Sequence, residues 1–154
     1  MALSDLLSSK AVVFNLHARC KREAIAALAE RAASLTGTDA ETIRDALMER
    51  ERLGSTGVGR GVAIPHGKIA GLPAMTGLLA KLDAAIDFEA VDDQPVDLIF
   101  VLLAPADASA AHLKALAKVS RLLRDDRVRE ALRGAETPEA LFAIAVDSER
   151  PHAA

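Results

Sequence analysis

Five short, strongly apolar runs predict the strands of this protein. They cover residues 11–15, 62–64, 75–82, 86–88 and 96–103. A continuous apolar run of this kind is typical of a strand that is covered on both faces. The last run is the most apolar, so we expect it to be the central strand of the sheet.

Segments with apolar residues at helical spacing predict the helices. Residues 20–36 keep that spacing, and Gly37 ends the helix. A second helix, to about residue 53, is expected to begin with a capping box formed by Thr38 and Glu41. Three more helices follow the last strand, each with a residue that can cap it. They cover residues 107–123 with Asp107 as the cap, 125–132 with Asp125 or Asp126, and 139–146 with Thr137 before Pro138.

Strands that alternate with helices indicate an α/β fold in which helices cover both faces of the sheet. The short spacing between residues 82 and 88 is typical of a hairpin, so we expect a mixed β-sheet rather than a purely parallel one. The length of 154 residues suits one domain. We predict a single domain over residues 1–147 and a flexible C-terminal tail over residues 148–154.

Composition excludes several classes of function. With a net charge of −3 and no Trp or Tyr, the chain lacks the basic groove and the stacking platforms of a nucleic-acid binder. Its single cysteine, Cys20, leaves out disulfides and cysteine-rich zinc sites. No run reaches the ~18 apolar residues that span a membrane, and the N-terminus has no secretory signal. We expect a cytoplasmic protein without membrane insertion, and no cofactor is indicated.

The glycine-rich residues 54–67 carry the densest chemical signal. They lack the lysine of a nucleotide-binding P-loop and the last glycine of a dinucleotide fingerprint. What remains is His66, placed directly after an apolar run and Pro65. Pro65 keeps that run extended and Gly67 allows an immediate turn, so we predict His66 at a strand end, where α/β proteins place their sites. A turn histidine with a satisfied hydrogen bond is the alternative.

Two further side chains point to the same site. His112 falls in the first turns of the helix predicted to start at Asp107, where free N–H groups favour an anion. Arg50 continues the apolar stripe of the second helix. A core histidine and an arginine with a solvated head are the alternatives. The predicted anion site comprises His66, His112 and Arg50, with Ser55, Thr56, Gly59, Gly61 and Gly67 in the loop that holds the anion. No Asp or Glu stands at a metal-ligand spacing, so no metal is expected.

The other unusual residues are assigned no chemistry. His17 is expected to be structural or at the surface, and His152 falls in the tail. Cys20 stands near a helix N-terminus, which can lower a thiol pKa, but a small buried residue is the preferred interpretation. Residues 121–133 contain five arginines and three acidic residues and are predicted to be a solvated surface of mixed charge.

The region around His66 resembles a known family. One stretch is similar to the active-site signature of the fructose, mannitol and nitrogen-type IIA domains of the bacterial phosphotransferase system. It consists of Glu51, six further residues, and then Val-Gly-Arg-Gly-Val-Ala-Ile-Pro-His-Gly at residues 58–67. Residues 50–57 are most similar to the nitrogen-regulatory members. Residues 112–114 and 122–125 resemble the second-histidine helix of the family, so the similarity covers nearly the whole chain.

This resemblance implies a phosphocarrier that is phosphorylated on His66, at the outer ring nitrogen Nε2, by a histidine phosphocarrier of the HPr type. It implies His112 and Arg50 as partners of the phosphoryl group, and an α/β sandwich like that of the mannitol and fructose IIA domains. Its phosphorylation state would regulate other proteins, such as transporters or sensor kinases. One alternative is a sugar-transport IIA that passes the phosphoryl group to a IIB domain. A non-enzymatic module that binds a phosphorylated anion is an alternative of another class. That no IIB or membrane segment is attached favours the regulatory role.

Overall fold

The computed structural model describes residues 2–149. Within them it has six α-helices and a six-stranded sheet. In chain order the elements are α1 (Leu3–Leu6), β1 (Val12–Leu16), α2 (Lys21–Thr36), α3 (Ala40–Arg52), β2 (Gly57–Gly59), β3 (Val62–Ala63), β4 (His66–Ile69), β5 (Thr76–Ile86), β6 (Val96–Pro105), α4 (Ser109–Arg124), α5 (Asp126–Gly134) and α6 (Pro138–Asp147). No helix in this part of the chain is long and apolar enough to cross a bilayer.

The sheet is mixed, with the order β1-β5-β6-β3-β2, and β4 also pairs with β6. Strands β3 and β4 run parallel to β6 one after the other, and β1 runs parallel to β5. The pairs β5–β6 and β2–β3 are antiparallel. The predicted mixed α/β fold is therefore confirmed.

The central strand β6 is covered on both faces. Residues 98–104 are all buried, and successive side chains of a strand point to opposite faces of the sheet. Helix α4 packs against β6 and α3 against β4, so both helices that carry predicted site residues lie next to the centre of the sheet. The most apolar run of the sequence thus takes the predicted central position.

Two predicted helix caps are wrong. Asp39, not Thr38, caps α3, because its carboxylate accepts the backbone N–H of Thr42 at 3.0 Å. Helix α4 begins after Ala108, which has no capping side chain, so Asp107 does not cap it. The caps of α5 and α6 are confirmed: Asp125 and Thr137 each accept a backbone N–H of the first turn.

The strand boundaries also differ from the prediction. β5 continues to Ile86, so residues 86–88 do not form a strand of their own. Phe88 is fully buried after the end of β5, which explains why this short segment is apolar. Helix α1 was not predicted, because a single turn gives no usable periodicity.

Two surface interpretations are corrected. Cys20 is exposed at the N-cap of α2 rather than buried. Within residues 121–133, Arg129 is only 6% exposed and donates to the backbone O of Leu123 at 2.9 Å. Arg133 forms a bidentate ion pair with Asp97. These two arginines therefore belong to the packed structure and not to a solvated surface.

The structure describes only the first two residues of the predicted tail. Ser148 donates its backbone N–H to Ile144 O, which continues the last turn of α6. The Glu149 carboxylate accepts from the backbone N of Leu3 and from Nζ of Lys118. Residues 150–154, including His152, lie outside the described residues.

Candidate active site

His66 is placed by a break between two consecutive strands. Pro65 has no N–H to donate, so the ladder is interrupted there, while its carbonyl still accepts from the backbone N of Leu102 at 2.9 Å. Contrary to the prediction, the chain does not turn at Gly67. It continues as β4, with His66 and Gly67 opposite Leu102 and Leu103 of β6. His66 is thus the first residue of a strand.

The contacts of its two ring nitrogens fix the tautomer of His66. Nδ1 lies 2.8 Å from the backbone O of Ile64, which can only accept a hydrogen bond. Nε2 lies 3.3 Å from Nε of Arg50, which can only donate one. The proton is therefore on Nδ1, and a free electron pair is on Nε2. This arrangement makes Nε2 the nucleophilic atom of the neutral ring.

Arg50 reaches His66 from the last turn of α3. Its NH1 donates to the backbone O of Gly54 at 2.9 Å, just beyond the end of the helix. Ile43 and Leu47 are fully buried on the same helix. Arg50 continues their apolar stripe, so the packing of α3 places Arg50 at the sheet, next to His66. The guanidinium is thus held at one end by the loop and faces His66 with its Nε–H.

His112 faces His66 from the second turn of α4. The two ring centroids are 5.5 Å apart with an edge-on angle of 80°. His112 is 7% exposed, and its Nε2 is buried without a hydrogen-bond partner among the described residues. Burial, followed by the proximity of His66 and Lys68, lowers the pKa of His112 below its usual 6.5. A neutral ring with an unused nitrogen therefore lines the cleft.

The lowered pKa of His112 predicts an acid-dependent loss of stability. Below pH 6.5 the unfolded chain binds a proton at this histidine that the folded protein resists, so the free energy of unfolding falls as the pH drops through this range. Urea unfolding at about pH 7.5 and about pH 5.5 measures this dependence. We expect H112Q to reduce it, while the exposed H17Q variant keeps it. An unchanged pH dependence in H112Q would contradict the assignment.

Lys68 is a member of the site that sequence reasoning missed. Residues 66 and 68 lie on the same face of β4, because side chains alternate along a strand. Nζ of Lys68 donates to Oγ of Ser109, the first residue of α4, at 2.6 Å. Because Gly67 was interpreted as a turn, the sequence did not indicate that His66 and Lys68 share one face of a strand. Lys68 adds a positive charge beside both histidines.

His66, Gly67, Lys68, His112 and Arg50 line one open cleft of about 420 Å³. Of the residues predicted for the site, the structure brings together His66, His112, Arg50 and Gly67. The others, Ser55, Thr56, Gly59 and Gly61, do not line this cleft. Two exposed leucines stand beside it: Leu53 at its rim and Leu113 next to His112.

The hydroxyl groups of the predicted loop are used inside the protein. Oγ of Ser55 donates to the backbone O of Phe88 at 2.6 Å and accepts from Gly57 N. Thr56 is buried, and both its backbone N and its Oγ1 donate to the carboxylate of Glu51. These contacts shape the loop that carries Gly54, the acceptor for Arg50.

Glu51 is the anchor of that loop. Its side chain is buried, and besides the Thr56 contacts it forms an ion pair with Nζ of Lys21 at 3.1 Å. Lys21 also stands 5.0 Å from the ring centre of Phe88. A buried carboxylate with this many partners fixes the chain that follows α3, and with it the position of Gly54 O.

We expect E51Q to lower the free energy of unfolding by about 2 kcal/mol, because the partly buried Lys21 ammonium loses the nearer of its two charged acceptors. Urea denaturation measures this change. The matched control is E49Q, two residues earlier on α3 with an exposed side chain, for which a change below about 0.5 kcal/mol is expected. Equal stability of E51Q and E49Q would refute the anchoring role.

Most polar side chains that line the cleft are histidine or cationic, and Glu49 is the acidic residue among them. Across residues 2–149 no group of three or more His, Cys, Asp and Glu side chains is arranged to hold a metal ion. Arg50, Lys68 and the two histidines instead provide hydrogen-bond donors and positive charge around a single nucleophilic nitrogen. Such an arrangement suits a small anion that carries high charge.

The chain resembles known proteins over nearly its whole length. A family model described as "Phosphoenolpyruvate-dependent sugar phosphotransferase system, EIIA 2" matches residues 5–147. The chain is 46% identical to a nitrogen regulatory protein of Bradyrhizobium diazoefficiens, over 94% of each chain. It is 31% identical to a fructose-specific EIIABC component of Bacillus subtilis, over 94% of this chain and 23% of that protein.

Solved structures share the fold. Nitrogen regulatory protein IIA-Ntr of Neisseria meningitidis superimposes with a TM-score of 0.87 and 31% identity, over 93% of this chain and 98% of that chain. IIA mannitol of Escherichia coli superimposes with a TM-score of 0.75 and 19% identity, over 90% and 97%, which is a likeness of fold alone.

Proposed function

Because the chain belongs to the EIIA 2 family of the phosphoenolpyruvate-dependent sugar phosphotransferase system, we propose that it is a phosphocarrier that takes up a phosphoryl group on Nε2 of His66. In this proposal the donor is a histidine phosphocarrier of the HPr type, and transfer takes place in the cytoplasm. The observation that carries the proposal is the fixed tautomer: Ile64 O holds the proton on Nδ1 and leaves Nε2 free to attack.

The transfer exchanges one N–P bond for another. The electron pair of His66 Nε2 forms a bond to phosphorus while the N–P bond of the donor breaks, and that bonding pair returns to the ring nitrogen of the donor. The proton on Nδ1 stays in its hydrogen bond to Ile64 O, so the ring needs no external base. Such a reaction depends on in-line positioning and on charge stabilisation more than on acid–base chemistry.

Arg50 is placed to stabilise the transferred group. Before transfer its Nε–H donates to the electron pair of Nε2. Once that electron pair is bonded to phosphorus, Nε2 can no longer accept the Arg50 Nε–H. A phosphoryl oxygen then becomes the acceptor of this N–H group. NH1 remains tied to Gly54 O, so the guanidinium needs only a small rotation. A preorganised charged donor of this kind is worth several kcal/mol in the transition state.

His112 and Lys68 complete the group that would hold the phosphoryl oxygens. The buried, unpartnered Nε2 of His112 costs stability in the unphosphorylated protein, and a phosphoryl oxygen would supply the missing partner. Lys68 adds an ammonium group that lines the same cleft. A phosphoryl dianion beside His112 also favours protonation of that ring, which would strengthen the hydrogen bond.

We further propose that the phosphorylation state regulates other proteins. Phosphorylation adds a charge of about −1.5 to −2 to a cleft that has the exposed Leu53 in its lining, and the exposed Leu113 follows His112 in the chain. A partner such as a transporter or a sensor kinase that docks on these leucines would meet a different charge in each state. The nitrogen regulatory protein of Bradyrhizobium diazoefficiens is 46% identical over 94% of this chain, whereas a fructose-specific EIIA component of Haloferax volcanii is 41% identical over only 67% of it. The higher identity over a longer match supports the regulatory role over sugar transport.

Transfer to a IIB domain is the second candidate. The fructose-specific relative is an EIIABC component, and one structural neighbour of 18% identity is a complex of enzyme IIA-mannitol with phosphorylated enzyme IIB-mannitol. The two roles differ in their acceptor: a sugar-transport protein passes its phosphoryl group to IIB, whereas a regulatory one does not need to. Efficient transfer to a sugar-specific IIB would replace the regulatory role by this one.

The direct test is incubation with phosphoenolpyruvate and catalytic amounts of the general phosphotransferase proteins, followed by mass spectrometry at neutral to alkaline pH. We expect one phosphoryl group on His66, stable to base and labile to acid. Phosphate that binds reversibly without covalent modification would identify an anion-binding module instead and overturn the phosphocarrier proposal.

A further inference from the structure

Three arginines from three different elements converge on a second cleft, which the proposed phosphotransfer does not use. Arg60 comes from the turn between β2 and β3, Arg124 from the last turn of α4, and Arg129 from α5. Their cleft has a volume of about 330 Å³, and none of the residues that line it lines the cleft of His66. In a chain with a net charge of −3, this local excess of cations needs a physical explanation.

Two of the three arginines share one carboxylate oxygen. Oδ1 of Asp126 accepts from NH1 of Arg60 at 3.1 Å and also from NH2 of Arg129. Two guanidinium groups that share a single oxygen repel each other, and the site gains from a further anion. Asp92, whose carboxylate accepts from the backbone N of Arg60 at 2.8 Å, is a second acidic group beside the cluster. Arg124 has no ion pair among residues 2–149, so three arginines stand against two carboxylates and a surplus of one positive charge remains.

The two ends of the cluster differ in mobility. Arg129 has a side chain that is 7% exposed, and NH1 is fixed to the backbone O of Leu123, so one guanidinium is rigid. Asp126 is 76% exposed, which lets its carboxylate move into solvent and leave the oxygen position to a ligand. The internal carboxylate thus occupies the place of a ligand oxygen.

The backbone at Arg60 is in a left-handed conformation. Its φ is +58°, between Gly59 at +104° and Gly61 at +79°, and a non-glycine residue in this region is strained by about 1 kcal/mol or more. Glycine would be accommodated there without strain. The side chain of Arg60 is therefore kept at a cost, and it points its guanidinium to the same oxygen as Arg129.

From this cluster we propose a binding site for a phosphate monoester. Three guanidiniums that approach from different elements can each face one outer oxygen of a tetrahedral group, and their net positive charge favours a phosphomonoester dianion. Val58, which is exposed, and Leu123 form an apolar wall for the organic part of the ester, and Ser120 adds a hydroxyl group. The ester is either a free metabolite or a phosphorylated side chain of another protein.

Titration with phenyl phosphate tests the site, and the backbone amide shifts in NMR spectra report the binding. We expect saturable shifts at Gly59 and Ser120. R60Q and R124Q, both at exposed positions, are expected to weaken binding by about tenfold or more, because each removes a charge-assisted contact. The matched control is R127Q, an exposed arginine of α5 outside the cleft, which should bind within about twofold of the parent protein. D126N is expected to tighten binding.

Each result of the titration either supports or overturns the proposed site. Shifts confined to Gly67 and His112 would place the ligand in the cleft of His66 and overturn the proposal, as would an equal loss in R127Q or unchanged binding in D126N. A phosphoserine peptide that binds more tightly than phenyl phosphate identifies a phosphorylated protein as the source of the ester. Equal or weaker binding of the peptide identifies a small phosphomonoester. Absence of saturable binding by both probes would also refute the site.

Discussion

Replacement of His66 by alanine is expected to abolish covalent phosphorylation and to leave the fold intact. The variant removes Nε2, the only nitrogen in the cleft whose electron pair is held free by a fixed tautomer. Its half-buried side chain lies at the start of β4, where no large core contact is lost. The measurement is mass spectrometry after incubation with phosphoenolpyruvate and the general phosphotransferase proteins, together with a urea unfolding curve.

Two matched histidine variants make this test specific. H17A removes an exposed histidine that pairs with Asp83 and does not line the cleft of His66, so full phosphorylation is expected. H112A removes the helper but keeps the nucleophile, so the phosphoryl group is expected to appear on His66 at a reduced rate. A base-stable, acid-labile phosphate that persists in H66A would disprove the assignment of His66.

The sequence was sufficient to predict those features of the fold that depend on long apolar runs. Strand β6 is buried on both faces because its residues are apolar without alternation, and that property is visible in the sequence. The N-terminal caps of α5 and α6 were predicted because Asp125 stands directly before an amphipathic segment and Thr137 directly before Pro138. Local side-chain chemistry decides these features, so one segment is enough to predict them.

Besides the two misplaced caps, the errors occur where a contact outside the local pattern decides the structure. Gly67 has the composition of a turn, but pairing with Leu103 of the neighbouring strand keeps the chain extended. Arg129 and Arg133 belong to a run that looks solvated, but the backbone O of Leu123 and the carboxylate of Asp97 draw them inward. Neither partner can be identified before the fold is known.

The candidate site was predicted in part for the same reason. His66, His112 and Arg50 could be found from residue type and helical position, and the structure does bring them together. The hydroxyl groups of Ser55 and Thr56 face inward because Phe88 and Glu51 accept their hydrogen bonds, which spacing alone does not indicate. Lys68 was missed because its relation to His66 depends on β4 being a strand.

Substitution of Arg50 by glutamine is expected to slow phosphorylation of His66 by about 10²-fold or more, the usual effect of losing one preorganised donor. Glutamine keeps a similar length but lacks the positive charge and the Nε–H that now meets Nε2. The observable is the single-turnover rate of phosphoryl uptake from the phosphorylated donor at saturating donor concentration. At saturation, weaker docking does not affect the rate, so the loss reports on the transfer step itself.

R52Q is the matched control for this prediction. Arg52 ends the same helix two residues later, but it is exposed and pairs with Glu49 rather than with His66. Its removal is expected to change the rate by less than about twofold. R50K separates charge from geometry: lysine retains the charge but cannot bridge Gly54 O and the phosphoryl group with a planar fork, so an intermediate rate is expected. Equal rates for R50Q and R52Q would mean that Arg50 orients the free imidazole without stabilising the transferred group.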